Sequence, residues 1–436
     1  MSAARLVERG FRLDQVRSPP TPAPLRIAYV SGPSEAARIH AEMLAGRPPT
    51  YFGTNYMQKF LQFVTQLDAR VLVETWHGDG PERIRRGRLS FNNDPPARGS
   101  GIRYHTNQLW KQTRLLARLM HYRPAVLILT GHQEFWWIYA PLRVFGTKFV
   151  ATIHGLLWTP HHPLKRHQKL YRWLNRAFAY PRLDAAVVTS HEIGKQLTQE
   201  LGDRSGRVPI YHHLPSYDPS QFAGITPVED LAAQPFRVFF SGRVEANKGV
   251  FDLVDVAEQL ERQHPGEFRF EMCGDGSDLE RLRKLVRAHG LDAVVTCHGY
   301  CEPQRMRETI GRCHIAVVPT RSEVPAGFEM TCAEAVLSGR PLIASAACPA
   351  LYYLREASLE VAPDQVAQYR DAIVELRDNP ALAHTLRQAS AKLSAPFYDE
   401  AHSWDRAMRD ALDHVLGIEP GRSCEASREA AGAALL

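Results

Sequence analysis

Arg243 and Lys248 stand five residues apart in the run Phe239-Phe240-Ser241-Gly242-Arg243-Val244-Glu245-Ala246-Asn247-Lys248-Gly249. The run reads as a strand over Arg237–Phe240, a glycine turn, and a helix whose apolar face is Val250, Leu253, Val254, Ala257 and Leu260. Asn247 is expected to cap that helix, which puts Lys248 in its first turn. A cation there meets the positive end of the helix dipole, an unfavourable place unless an anion lies between them. Arg243, on the preceding loop, points at the same spot. Two cations around one helix N-terminus suit a diphosphate.

A second stretch, Gly327-Phe328-Glu329-Met330-Thr331-Cys332-Ala333-Glu334-Ala335-Val336-Leu337-Ser338-Gly339-Arg340-Pro341, adds a carboxylate. It reads as a helix of about a dozen residues, opened by Ala326-Gly327 and stopped by Gly339. Glu334 falls near its middle, and the strand Leu342–Ala344 follows. In a parallel α/β sheet, nucleotides lodge in the crevice at the strand carboxyl ends. A carboxylate there can accept hydrogen bonds from two adjacent hydroxyls, as on a ribose. The expected pocket has Arg243 and Lys248 on the phosphates, the backbone of Gly327 beside them, and Glu334 on the ribose.

These motifs resemble the retaining glycosyltransferases of family 4, also called group 1. The likeness rests on Gly242-Arg243 with Lys248, Gly274-Asp275-Gly276, His298-Gly299-Tyr300, Val317-Val318-Pro319-Thr320, and Gly327-Phe328 through Glu334-Ala335 to Gly339-Arg340-Pro341. It is good from about Arg237 to Ala395 and weaker before that. It implies a GT-B fold, in which two Rossmann-like domains face each other across a cleft and a C-terminal helix crosses back. It also implies that Gly242, Arg243, Lys248, Tyr300, Gly327, Phe328 and Glu334 surround a nucleoside diphosphate sugar. Thr152-Ile153-His154-Gly155 resembles the family's strand-end histidine near the reacting sugar, so His154 joins Arg243 and Lys248 as an expected catalytic residue. Phe52-Gly53-Thr54-Asn55 is the nearest match to the family's glycine-rich loop, making Gly53 an expected phosphate neighbour. One departure stands out: the family usually carries two glutamates separated by seven residues, and the first falls on Ala326. Glu323 and Glu329 flank that position without the right spacing. A donor sugar other than a plain hexose is therefore expected, such as a deoxy, N-acetylated or carboxylated one.

The elements that must position these residues alternate between strand and helix along the whole chain. Strands are expected over Leu25–Val30, Arg70–Glu74, Ala125–Thr130, Lys148–Ile153, Ala185–Thr189 and Val208–Tyr211, with helices such as Asn55–Gln66 and Asn107–His121 between them. A second series follows at Arg237–Phe240, Arg269–Cys273, Val294–Cys297, Ile315–Val318 and Leu342–Ala344. Such alternation implies two parallel, doubly wound sheets. The expected division is a lead-in over 1–24, an acceptor domain over 25–215, a linker over 216–235, a nucleotide-sugar domain over 236–395, a crossover helix over 396–416 and a tail over 417–436. His132, His154 and His191 each follow an expected strand directly and so face the crevice.

Composition narrows the classes. At 436 residues, two or three domains of ordinary size are expected. No apolar run approaches the roughly 20 residues of a membrane helix, and residues 1–24 lack the apolar block of a secretory signal. All seven cysteines fall at or beyond Cys273 with no CxxC, and Cys297, His298 and Cys301 fit no common zinc spacing. Reduced thiols in a cytoplasmic protein are expected, with neither metal nor cofactor. The longer glycine pattern of a dinucleotide fingerprint does not follow the first strand, which argues against a nicotinamide dehydrogenase. Pro95–Leu183 holds fourteen Lys/Arg and one acid, Glu134; this +13 in a chain of net +6 leaves −7 elsewhere. Aromatics interleave with the charges (Trp110, Tyr122, Tyr171, Trp173, Phe178, Tyr180), which suits an anionic membrane surface or a polyphosphate acceptor, and equally a pair of core-facing helices with a solvated basic side. No nucleic-acid-binding signature accompanies them. The expected function is sugar transfer from a nucleoside diphosphate sugar to a glycan, lipid-linked or small-molecule hydroxyl. Two rival readings are a non-catalytic sugar-nucleotide scaffold and a sugar-nucleotide epimerase on the same fold.

Overall fold

The computed structural model describes residues 24–47 and 55–418, apart from 79, 98, 132, 227, 229 and 232. The expected lead-in before residue 24, the tail beyond 418, Gly53 and His132 lie outside the described residues. Two α/β domains are present, each built on one sheet. The first sheet contains β1 (Leu25–Val30), β2 (Ala69–Thr75), β3 (Glu82–Arg86), β4 (Leu89–Asn93), β5 (Val126–Leu129), β6 (Lys148–Ile153), β7 (Ala185–Val188) and β8 (Ile210–His212). Its order is β3-β4-β2-β1-β5-β6-β7-β8, and every pair is parallel except the β3–β4 hairpin. The second sheet contains β9 (Phe236–Ser241), β10 (Phe268–Cys273), β11 (Val295–Gly299), β12 (Ile315–Val318), β13 (Leu342–Ser345) and β14 (Ser358–Val361). All its neighbours are parallel, in the order β11-β10-β9-β12-β13-β14.

The strands form because their apolar runs can be buried on both faces. In β1 and β5, Ile27, Tyr29, Val126 and Ile128 enter one core, while Ala28, Val30, Leu127 and Leu129 enter the other. This is the two-residue alternation of a pleated strand. The second sheet divides likewise, with Phe236, Val238 and Phe240 on one face and Phe239 on the other.

The segment expected as one crossover helix over 396–416 is broken. It runs as Ala395–Tyr398, a 3-10 turn at Glu400–His402 and a helix over Trp404–Leu416. The breaks fall at Asp399 and Ser403, whose extended backbones let their side chains accept from Ala401 N–H and Arg406 N–H. The last helix crosses back to bury Trp404, Met408, Ala411 and Leu412 in the first sheet's core. Within the basic segment Pro95–Leu183, a helix at Arg166–Leu174 is followed by a π turn over Asn175–Ala179 and a 3-10 turn over Tyr180–Arg182. The β3–β4 hairpin was not expected: β3 (ERIRR) is a largely exposed edge strand with little apolar alternation to reveal it.

In a doubly wound sheet the crevice opens where strand order reverses. Here that point lies between β1 and β5 in the first sheet, and between β9 and β12 in the second.

Candidate active site

The carboxyl end of β9 delivers Gly242 and Arg243 into the second sheet's crevice. Gly242 has φ +146, and its N–H donates to Cys273 O at 3.1 Å, which turns the chain away from the sheet. Residues 246–248 then form a single 3-10 turn, and the helix Val250–Gln263 begins after Gly249. Asn247 is therefore not the helix cap, and Lys248 precedes the helix instead of occupying its first turn. The reason is Gly249, at φ +73, where a Cβ would lie 2.2 Å from Pro319 O. Only glycine passes that close to the end of β12, and the helix starts beyond it. The Asn247 Oδ1 is left buried without a hydrogen-bond partner.

The second motif also differs from its expectation. Its helix covers Met330–Leu337, eight residues, because Glu329 adopts a left-handed backbone at φ +61 and forms the N-cap. Ala326–Glu329 is a turn lining the crevice. Glu329, noted in the sequence only as flanking position 326, places its Oε1 2.8 Å from Lys248 Nζ, with both side chains largely buried. Glu334 is 9% exposed and accepts from Tyr217 Oη at 3.4 Å. Desolvation raises its pKa to about 7, outweighing the opposing effect of Tyr217. Arg243 is more open: its side chain is 65% exposed and pairs with Glu245 at 2.6 Å.

These residues line a cavity of about 500 Å³ between the two sheets. Gly242, Arg243, Lys248, Gly327, Phe328, Glu334 and His154 are brought together there, with Thr320 and Glu329 from the quoted motifs and with Tyr56 and Thr189, which no motif contained. Tyr300 is 55% exposed and does not line the cavity. Phe328 packs with Tyr353 and Phe397, so its ring belongs to the core while its chain borders the cavity. His191 stacks on Tyr352 across the cleft at 4.3 Å and lies outside the cavity wall.

His154 reaches the cavity from the end of β6, held by its neighbours. Trp404 Nε1–H donates to Thr152 Oγ1 at 3.1 Å, leaving the Thr152 hydroxyl to donate to His154 Nε2 at 3.2 Å. The other ring nitrogen, Nδ1, then donates to Thr189 Oγ1 at 3.0 Å. Burial, helped by His213, lowers the His154 pKa to about 3, so the ring is neutral. Tyr56 stacks on it at 3.9 Å. The two domains touch here: Leu156 N–H donates to Pro325 O at 3.2 Å, and a Cβ on Gly327 would fall 1.8 Å from His154 O. Gly327 thus serves close approach between backbones.

A second cavity, of about 790 Å³, adjoins the first and shares Glu323 and Pro325 with it. It is walled by the ends of β5 and β6, including Thr130, Gly131, Glu134 and Trp158, and by Tyr171 and Arg172 of the basic helix. Arg172 lies over the Trp158 ring at 4.2 Å and pairs with the buried Glu200, as does Arg176. The basic segment is therefore partly neutralised by acids from outside it, with Arg118 on Glu74 and Asp94 and Arg143 on Asp184. Exposed Arg103, Arg114, Arg166 and Lys169 lie among exposed Ile102, Trp110, Leu170 and Trp173. The helices that carry them meet where Tyr171 Oη contacts His105 Nδ1 at 3.1 Å. Among the described residues, no cluster of three or more His, Cys, Asp or Glu is arranged to hold a metal, and no helix is long and apolar enough to cross a membrane.

Comparison with known proteins gives the family and the fold. A family model described as glycosyl transferases group 1 matches residues 225–393, and one described as glycosyltransferase family 4 matches residues 53–213. The chain is 24% identical to an alpha-D-kanosaminyltransferase of Streptomyces kanamyceticus over 283 residues, 62% of this chain and 71% of that one. It is 22% identical to a glycogen synthase of Mycobacterium tuberculosis over 322 residues, 71% and 74% of the two chains. Its fold superposes on sucrose-phosphate synthase of Thermosynechococcus elongatus with a TM-score of 0.65 at 17% identity, covering 91% of this chain and all of that one. Anabaena HepE, solved in complex with UDP, gives a TM-score of 0.59 at 14% identity over 90% of this chain and 100% of that one. With the two matches together covering β2 to β14, about three quarters of the chain, the chain belongs to the family 4, group 1 glycosyltransferases and has the GT-B fold.

Proposed function

We propose that the protein is a retaining glycosyltransferase that binds a nucleoside diphosphate sugar in the cavity between the sheets and transfers the sugar to a hydroxyl held in the adjoining one. The observation that carries this reading is the convergence of Gly242, Arg243, Lys248 and Gly327 at the β9–β12 switch point, with Glu334 deeper in the same cavity. Lys248 and Arg243 stabilise the diphosphate as the anomeric C–O bond breaks and charge builds on the leaving oxygen. The acceptor oxygen attacks from the same face, and the departing phosphate oxygen takes its proton, so no side-chain nucleophile is needed. Glu334, once ionised, accepts the ribose hydroxyls. Neutral His154, held by Thr152 and Thr189, shapes the sugar end of the site.

The same reading divides the chain into an acceptor domain over 25–215, a linker over 216–235, a donor domain over 236–395 and a returning segment over 396–416. UDP sugars are the first donors to test, because HepE is described with UDP and with UDP and glucose. Ala326, 6% exposed, leaves the wall without a carboxylate at that point. This favours a sugar whose own groups need no acceptor there.

The acceptor is taken to be lipid-linked. The basic helix forms one wall of the adjoining cavity through Tyr171 and Arg172, and carries Leu170 and Trp173 exposed beside Arg166 and Lys169. An apolar and basic face of this kind suits an anionic membrane surface. Reversing the charges of Arg166, Lys169 and Arg114 should abolish salt-sensitive binding to phosphatidylglycerol vesicles. No binding by the unaltered protein at low salt removes the membrane from the account. Arg172 is unsuitable for this test, because its pairing with Glu200 is structural. Incubating the enzyme with a panel of nucleotide sugars and following donor loss tests the whole reading. Consumption of one donor supports transfer, conversion to an epimer supports an epimerase, and stable binding without turnover supports a scaffold.

A further inference from the structure

The cation expected to hold the donor's phosphates is already occupied. Lys248 Nζ lies 2.8 Å from Glu329 Oε1, and the two side chains are 14% and 12% exposed. Both residues line the donor cavity, as does Asn247, whose buried Oδ1 lacks a partner. Arg243, the other expected phosphate cation, carries Glu245. With both pairs intact the cavity offers little net positive charge to a diphosphate.

Glu329 reaches Lys248 only because its backbone is left-handed, at φ +61, a region that non-glycine residues seldom occupy. That conformation makes Glu329 the N-cap, so the helix starts at Met330, and the Glu329 side chain lines the cavity. Strained, buried and charge-paired residues of this kind collect where a ligand must displace something. A carboxylate and a phosphate oxygen make the same charge-assisted bond to an ammonium, so each can replace the other.

We propose that Glu329 is a built-in competitor for the donor diphosphate: its carboxylate holds Lys248 in the empty site and is displaced when a nucleoside diphosphate arrives. This rests on the reading of the cavity as the donor site. The exchange keeps a buried ammonium paired when no ligand is present. It also weakens the hold on the diphosphate product, because Glu329 reclaims Lys248 as the product leaves. Part of the donor specificity follows, since only a ligand with enough phosphate charge to displace the carboxylate binds well.

The test is calorimetric titration of UDP, GDP and ADP into the full chain and into Glu329→Gln, Glu329→Gly, Lys248→Ala and Lys248→Ala/Glu329→Gln. The glutamine variant keeps the size of the side chain, and the glycine variant suits the left-handed backbone, so a folded protein is available either way. The expected result is that both Glu329 variants bind the preferred diphosphate about tenfold more tightly than the wild type. In the Lys248→Ala background, Glu329→Gln should bring no comparable gain. Unchanged or weaker binding by both Glu329 variants overturns the proposal while the donor-site reading stands, provided the wild type binds and Lys248→Ala does not. An equal gain in the Lys248→Ala background also overturns it, because Glu329 would then act by general repulsion. Binding seen only in the Glu329 variants supports the proposal, and no binding by any of these proteins at millimolar ligand overturns both readings.

Discussion

The two adjoining cavities are built in different ways. The proposed donor cavity draws its cations from one strand–turn–helix unit, residues 236–263, and its carboxylates from the short segment 323–334, as Glu323, Glu329 and Glu334. The adjoining cavity, proposed to hold the acceptor, collects residues from the ends of β5 and β6, the basic helix and the helix holding Glu200, with Glu323 and Pro325 supplied by the other domain. Diphosphate recognition depends on backbone geometry at a strand end, which compresses into short motifs. An acceptor is gripped by side chains on loops and helix faces, which a fold can supply from anywhere.

The largest expected effect falls outside both cavities and shows how separable they are. Trp404→Ala removes a fully buried side chain and its bond to Thr152. It should cost ~3–5 kcal/mol of stability by denaturant unfolding. Nucleoside diphosphate affinity should be retained, because the cations are set by the second sheet. If affinity fell as sharply as stability, the donor cavity would depend on the first domain.

Next come the two cations proposed to hold the phosphates. Lys248→Ala should weaken nucleoside diphosphate binding by ~1.5–3 kcal/mol, the scale of a charge-assisted hydrogen bond. Arg243→Ala should cost less, ~0.5–1 kcal/mol, since the exposed guanidinium is screened. Equal losses in calorimetry would mean that the two cations share the diphosphate evenly.

On the acceptor side, Trp158→Ala removes the ring beneath Arg172. It should raise acceptor KM by a factor matching ~1–2 kcal/mol while leaving donor Kd unchanged. A change in donor Kd would show that the two cavities act as one.

The smallest effect is a pH dependence. The Glu334 pKa is raised to about 7, so the group is protonated below that pH in the empty site. Ribonucleotide affinity should therefore rise, by tenfold at most, as pH increases through about 7. Stability should move the other way. A carboxyl whose folded pKa exceeds its unfolded value stabilises the protein below the unfolded value and loses that contribution as pH rises through about 7. Glu334→Gln should flatten both trends, and it should reduce affinity for a ribonucleotide more than for its 2′-deoxy counterpart.

How legible each cavity was follows from the same contrast. β1, β6 and β12 fall on their expected limits because each is a compact apolar run. Lys248, Arg243 and Glu334 were readable because glycine, cation and carboxylate recur at fixed spacing around a strand end. The Lys248–Glu329 pair was not, because a left-handed glutamate leaves no mark in a sequence, and it alone moved the start of the helix. Tyr217, the hydroxyl on Glu334, lies in an irregular segment between the sheets where no periodicity applies. The charge of the Pro95–Leu183 segment was visible, but its partners Glu74, Asp184 and Glu200 lie outside it and meet it only in the fold.

The central claim is that a nucleotide sugar is cleaved in the cavity that Lys248 lines. Its most direct measurement is donor consumption, with the anomeric configuration of the released or transferred sugar followed by NMR, in the wild type beside Lys248→Ala. The account predicts that one nucleotide sugar of a broad panel is consumed with its configuration retained, and that Lys248→Ala loses most of that activity. Consumption undiminished in the variant, inversion at the anomeric carbon, or silence from the wild type across the panel would contradict it.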